Sequence, residues 1–428
     1  QPIPEHKAVH SAPRELAIIA LPMFEAFQER DYRGFWTTQF ISNIGSWMQT
    51  VAQGWLVYRL TDSPFLLGFV GFASSAPAFF LMLPGGVVAD HFDRRRVVKI
   101  SQWAQALSAL FLAVAIRTGQ INVWQILLSS VVVGIAMSFS APAYQAMVVD
   151  LLDDRSRLSN AVAMNSLQFN LSRAIGPLLA GLTLAAWGSF WCFLFNALSF
   201  LPLIWMLGRL KERQQLAVST GALWEKLREG FRYVLTQRVV LLLLAVVAAA
   251  SLFGFPYMTI MPMVARTLFG GDDARGLGVL MSGIGGGALA GSLALSVSTP
   301  PERRMVPAVL ASMATFGAAL LGIAFFRAHD VVIGLLAVCG CSMVICTALC
   351  NTSIQRRIPD AMRGRVLSMY TFAFSGFLPF GNLTAGILAE HRGLTPTMMV
   401  LGGGLLICST AAVGAVWWVG ARRAAMVV

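Results

Sequence analysis

Along the chain, apolar runs of membrane-crossing length alternate with short charged clusters. A helix needs about 20 apolar residues to cross hydrocarbon, and more when it is tilted. Runs of that kind fall at 35–60, 65–89, 97–117, 123–148, 158–186 and 189–208, and again at 239–268, 276–298, 305–326, 331–354, 364–390 and 395–420. The pattern predicts an all-α integral membrane protein with twelve transmembrane helices in two groups of six. The two-residue alternation of an outer-membrane barrel strand is absent from it.

The first run, FWTTQFISNIGSWMQTVAQGWLVYRL, is apolar enough for lipid yet carries Gln39, Asn43, Ser46, Thr50 and Gln53. At about 100° per residue these five lie within about 40° of one line down the helix. Polar groups in hydrocarbon are costly, so that stripe faces a neighbouring helix or a wet cavity. In the fifth run, Asn165, Gln168 and Ser172 share a face that includes Gly176. Two spans with polar faces favour a central cavity over interhelical hydrogen bonding alone. Arg173 is the one basic residue placed deep in a span. It either meets an anionic group of a substrate or braces backbone carbonyls near Gly176-Pro177.

Between the two groups of six lies the longest polar stretch, 209–238, whose Trp224, Leu227, Phe231 and Leu235 fall at helical spacing. The predicted organisation is therefore a cytoplasmic N-terminal segment at 1–34, a first bundle at 35–208, an amphipathic linker at 209–238, a second bundle at 239–421 and a tail at 422–428. No cleavable leader is expected, residues 1–13 read as disordered, and RELAIIALPMFEAFQER reads as an amphipathic helix on the inner surface. A shift of 205 residues pairs Gly86 with Gly291, Gly176 with Gly381, Gly181 with Gly386 and Gly188 with Gly393. Recurrence at one offset suggests a repeated six-helix half, which places a substrate site near the midplane between halves.

Composition agrees with a membrane protein: 57% of residues are hydrophobic and 12% charged, against about 25% charged in soluble domains. The net charge of +12 does not point to nucleic acid, because the basic residues sit in clusters between spans. With both termini inside, the cytoplasmic segments hold 25 Lys and Arg and the outer loops six. That bias predicts a multi-pass protein of a bacterial inner membrane with both termini cytoplasmic. Cys339, Cys346 and Cys350 share a helical face, but no His or carboxylate accompanies them. They read as small packing residues, with no disulfide, metal or other cofactor expected. The five histidines lie at 6, 10, 91, 329 and 391, none deep in a span, which argues against a membrane enzyme.

The stretch GGVVADHFDRRRVVKI resembles the loop signature of the major facilitator superfamily, Gly-x-x-x-Asp-Arg/Lys-x-Gly-Arg/Lys-Arg/Lys. Gly86, Asp90, Arg94 and Arg95 match it, while His91 and Asp93 stand where the pattern has a basic residue and a glycine. SNIGSWMQTVAQGWLVYRLT, FSAPAYQAMVVDLL, LSNAVAMNSLQFNLSRAIGPLLAGL and RIPDAMRGRVLSMYTFAFSGFLPFGNLTAG resemble the enterobactin-exporter-like branch, which holds siderophore exporters and drug-efflux relatives. RAIGPLLAG also resembles the superfamily's antiporter motif at Gly176, Pro177 and Gly181.

The resemblance implies a secondary active exporter of amphipathic organic compounds, working by alternating access and exchanging substrate for protons. It also implies a cytoplasmic latch in which Asp90 meets Arg94, Arg95 or the amides that follow Arg363-Gly364-Arg365. The arginine common in the fourth span of proton-coupled drug exporters is missing, and no Asp or Glu falls mid-span. Asp150, at the end of the fourth span, is therefore the candidate proton carrier, or else a helix-end acid balanced by Arg155 or Arg157. The expected partners are a small amphipathic substrate, the lipid bilayer and H+, in a monomer. Rival readings are a lipid or lysolipid flippase of the same fold and a non-transporting receptor or scaffold.

Overall fold

In hydrocarbon every backbone amide and carbonyl must find its partner inside the protein, which favours long helices. The structure, a computed structural model, describes residues 22–210, 223–271 and 274–425, and among these no strand occurs. Some side chains within these ranges, those of Asp90 and Arg363 among them, lie outside the described residues, as do 1–21 and 211–222. The first bundle consists of α1 (Arg30–Thr61), α2 (Pro64–His91), α3 (Arg94–Arg117), α4 (Val123–Asp150), α5 (Leu158–Trp187) and α6 (Ser189–Arg209). After α7 (Leu223–Thr236), the second bundle comprises α8 (Arg238–Ala249), α9 (Met261–Phe269), α10 (Ala274–Val297), α11 (Glu302–Phe325), α12 (His329–Arg357), α13 (Asp360–Arg392) and α14 (Leu394–Ala425).

The ends of these helices follow from local chemistry. The Ser63 hydroxyl accepts from the Leu66 amide with Pro64 at the first turn of α2, and Asn122 and Gln125 form a reciprocal capping box on α4. Such caps satisfy amides that have no partner within the helix. Gly188 and Gly393, at φ +86° and +78°, turn the chain between α5 and α6 and between α13 and α14. Only glycine adopts that left-handed backbone without strain, and these two positions are one of the pairs in the 205-residue repeat.

Two expectations are corrected. The run 239–268 is not one continuous helix: α8 passes through a π turn, Ala250–Gly254, and a 3-10 turn, Phe255–Met258, before α9 begins. Pro256 and Pro262 each remove an amide that an unbroken helix would use. The described part of the N-terminal segment, Pro22–Gln28, is a 3-10 turn rather than an α-helix. It docks on the first bundle, with the Ala26 amide donating to Asn160 Oδ1 at 3.0 Å and Phe27 edge-on to Trp36. Among the described residues, eleven spans are long and apolar enough to cross a membrane, and α1 is not one of them. Its 32 residues suffice in length; the polar stripe lowers its hydropathy.

The joins between the bundles position everything that follows. Pairs α2–α13 and α5–α10 run side by side across the divide. We call the end bearing the turns at 62–63, 188 and 393 the far face, and the end bearing α7 the linker face. At the far face the helices touch backbone to backbone. A Cβ built on Gly181 would sit 2.5 Å from the Gly278 Cα, and one on Gly68 would sit 2.7 Å from the Gly386 Cα. Polar contacts reinforce this seal. Glu390 Oε2 accepts from Ser63 Oγ at 2.8 Å and from the Phe65 amide at 3.0 Å, and Arg266 pairs with Asp62.

Toward the linker face the α5–α10 contact continues to Ala174 against Gly285. Three turns further along the same faces come Ala163 and Ser296, both exposed. The helices therefore diverge, leaving a wedge that is closed at the far face and widens toward the linker face.

The seal yields a direct expectation. Gly278→Val forces a side chain into the Gly181 backbone, and overpacking of this kind costs about 1–3 kcal/mol. In a chain carrying Thr50→Cys, labelling by an impermeant thiol reagent from the far side should then rise several-fold. An unchanged rate would show that these glycines do not hold the far face shut.

Candidate transport site

Helix α1 runs between α5 and α6, and its residues divide by what they touch. On one side Gly45 lets the α6 side chains of Asn196 and Ser199 approach, and Gln49 accepts from Asn196 Nδ2 at 2.7 Å. On another, the Trp47 Cβ and Ile44 carbonyl lie against Gly176 of α5, where a Cβ would come within 2.5 Å of the former. Gly381 packs in the corresponding way on the Leu252 carbonyl and Pro256 of the seventh span. The repeat thus recurs as packing: fifth span on first, eleventh span on seventh.

The stripe predicted on α1 lies between these two sides. Gln39 Nε2 donates to Asn43 Oδ1 at 2.9 Å, while Gln39 Oε1 is buried without a partner. The hydroxyls of Ser46 and Thr50 donate back to the carbonyls of Ser42 and Ser46, with Thr50 exposed. Hydroxyls satisfied along their own helix leave room for a second partner. Gln53 differs, because its Nε2 donates to Ser130 Oγ of α4 at 3.0 Å.

On α5 the predicted face is committed mainly to α1. Gln168, 1% exposed, donates to the Trp36 carbonyl at 2.7 Å. Asn165 Oδ1 accepts from the Tyr32 hydroxyl at 3.2 Å and stays half-buried. Arg173, 6% exposed, reaches across the divide: Nη2 lies 3.5 Å from Met258 Sδ and 3.1 Å from Met343 Sδ. Its guanidinium carbon stands 5.7 Å from the centroid of Trp47, itself edge-on to Phe169. Sequence reasoning missed both methionines and Trp47 as neighbours of Arg173. The break in the seventh span is what brings Met258 there.

At the linker face, the described ion pairs stay within one half. Arg94 Nη1 bonds Asp150 Oδ2 at 2.8 Å, joining the start of α3 to the end of α4. Asp150 is thus paired with Arg94 rather than with Arg155 or Arg157; Arg157 holds Glu29 at 2.9 Å. Arg365 pairs with Glu229 of α7. Asp93, which departs from the loop signature, is the N-cap of α3, accepting from the Arg95 amide at 2.9 Å and pairing with the Arg95 side chain. Arg95 also donates to the Leu210 carbonyl. Burial works to raise the Asp93 carboxyl, but the hydrogen bonds and charge of Arg95 outweigh it and hold the group below its ordinary range. The latch expected of Asp90 and Arg363 involves side chains outside the described residues. Of the gating positions, Gly86 has no neighbour among the described residues where its Cβ would point, whereas its repeat partner Gly291 packs on Cys341.

Comparison with known proteins places this geometry. Residues 22–419 match the model of a family described as transmembrane secretion effector. The chain is 26% identical to the staphyloferrin A transporter of Staphylococcus aureus, over 86% of this chain and 92% of that protein. It is 25% identical to the multidrug efflux pump Tap of Mycolicibacterium fortuitum, over 86% and 91%, and 25% identical to the enterobactin exporter EntS of Shigella flexneri, over 79% and 80%. Among solved structures, the nucleoside transporter NupG aligns with a TM-score of 0.66 at 14% identity, covering 90% of this chain and 98% of that one.

The Asp93 cap supplies a stability test. Removing an N-cap oxygen costs about 1 kcal/mol, so Asp93→Ala should lower the melting temperature by a few degrees, whereas Asp93→Asn should retain most of it. Because the folded carboxyl is held low, its charge-dependent contribution is complete above the ordinary carboxylate value, about pH 4. It is lost as pH falls through the depressed folded value. The gap between wild type and Asp93→Ala should therefore narrow only in strong acid; a gap that closed near neutrality would contradict the assignment.

Proposed function

Since the chain belongs to the transmembrane secretion effector family of major facilitator transporters and is a transporter rather than an enzyme, we propose that it exports amphipathic organic compounds, siderophore-like or drug-like, by alternating access. The observation that carries this is the wedge between the halves, shut by Gly68–Gly386 and Gly181–Gly278 at one face and widening toward the other. The charge bias makes the linker face cytoplasmic, so the wedge opens to the compartment from which an exporter loads. Gln39, Asn43, Ser46, Thr50 and Asn165 meet the substrate. Gln53 and Gln168 hold α1 against α4 and α5.

Transport then consists of the two bundles rocking about this site. The far seal opens while Asp90, Arg94, Arg95, Arg363 and Arg365 close the linker face. Gly176 and Pro177 keep α5 tight on α1 as the bundle turns. The working unit is a monomer in the inner membrane with both termini cytoplasmic. The energy comes from the proton-motive force, with protons as the exchanged ion and Asp150, bonded to Arg94 at the linker face, as the candidate carrier.

Relatives named for a siderophore and for multiple drugs support the substrate range. Cells lacking the protein should accumulate members of a panel of siderophores and dyes, and the protein should restore their efflux. A protonophore should abolish that efflux. Gln39→Ala and Asn43→Ala should shift apparent affinity about three- to tenfold, as expected for one net hydrogen bond of about 1 kcal/mol, with little change in melting temperature. Gln168→Ala should do the reverse. If all three lower only the melting temperature, the stripe is packing and the cavity reading fails.

A further inference from the structure

We infer that Arg173 recognises the charge of the substrate, so that the compounds carried are amphipathic organic anions bearing a carboxylate or a similarly compact anionic group. This deepens the exporter reading and rests on it.

The surroundings of the guanidinium do not answer its charge. At 6% exposure Arg173 is removed from water, yet among the described residues no carboxylate lies within ion-pair distance. Its hydrogen-bond contacts are the thioether sulfurs of Met258 and Met343, which are weak acceptors. Its Nε has no partner. Every Asp and Glu in the membrane-spanning helices lies at or near a helix end, so those helices offer no counter-charge at this depth. A buried charge is ordinarily paired or fully hydrogen-bonded, and a lone cation inside a membrane span is by default a functional group.

A purely structural brace is a poor explanation. Arginine braces by forking onto carbonyls or carboxylates, and two methionine sulfurs do not reward a charge; an apolar side chain would fill the same space at lower cost.

Position and lining agree with a ligand. Arg173 immediately precedes Ala174, which packs on Gly285 where α5 meets α10. It meets residues of the seventh-span break and of α12, so both halves contribute to the spot. Ser172 Oγ and the Tyr257 hydroxyl, both on fully buried residues, also lack partners. Trp47 and Phe169 supply an aromatic wall and the methionines an adaptable apolar one. One end of the site thus suits a negative charge and the rest suits an apolar body. An organic anion is also the class that leaves an inside-negative cell downhill in potential, which accords with a central site that carries a fixed positive charge and no acid.

The test uses matched probes on the purified full-length protein: 2-naphthoate, decanoate and 2,3-dihydroxybenzoate, each against its uncharged amide. Binding is followed by the rise in melting temperature with concentration. At least one acid should bind tenfold or more tighter than its amide. Arg173→Gln should erase that preference while leaving amide binding within about twofold, and Arg173→Lys should retain part of it. Equal binding of acids and amides by the wild type, or binding of neither, overturns the inference. So does an Arg173→Gln protein that melts lower but keeps the preference, since that is the signature of a brace. The wild-type comparison stands even if the variants fail to fold. Efflux from cells separates the two readings: export of ethidium or of the amides without the acids leaves the exporter standing and removes the anion, whereas no export of any probe or dye removes both.

Discussion

Two helix crossings bring backbone against backbone between the halves, and nothing larger than glycine fits there. Gly68 with Gly386, and Gly181 with Gly278, hold α2 to α13 and α5 to α10 at the far face. Without a hydrophobic drive between helices in lipid, such close approach is what lets dispersion and weak contacts join them. It also fixes a fulcrum. Helices clamped at one end and diverging at the other produce a wedge, and a wedge at the junction of two repeated bundles is the geometry on which alternating access depends. Polar links at the same face, Glu390 onto the start of α2 and Arg266 to Asp62, are exchangeable for water, as the proposed reopening of the seal requires.

The second constraint is the cost of polar groups in hydrocarbon, which sorts the polar side chains of α1 and α5 by use. Gln49, Gln53 and Gln168 have side-chain or backbone partners on neighbouring helices. Ser46 and Thr50 are satisfied within α1 and remain available to a ligand. Arg173 stands apart from both groups because its contacts do not answer its charge. The same chain therefore answers one cost in two ways, by packing between helices and by bonding within a helix, and leaves Arg173 outside both.

Much of this was legible before any fold was known. Hydropathy located the spans to within a few residues, and the glycine offset of 205 anticipated that Gly176 and Gly381 pack on corresponding helices and that Gly188 and Gly393 make corresponding turns. What was not legible required tertiary partners. Hydropathy gave no hint that the seventh span would break, although Gly254, Pro256 and Pro262 were visible, because prolines elsewhere, such as Pro177 and Pro202, sit inside continuous helices. Helical spacing put Asn165 and Gln168 on one face but could not show that α1 occupies it. The pairing of Asp150 with Arg94, 56 residues away, prevailed over nearer arginines because α3 and α4 lie side by side and antiparallel, which brings the start of one to the end of the other.

The rocking of the two halves about the far-face seal is most directly tested by paired distances between spin labels. One pair, at Ser159 and Val297, spans the open mouth at the linker face; the other, at Gln120 and Ala328, spans the far face. On addition of a transported compound, the linker-face distance should shorten and the far-face distance lengthen by several ångströms, together and reciprocally. Distances that stay fixed, or that change in the same direction at both faces, would contradict alternating access by this protein.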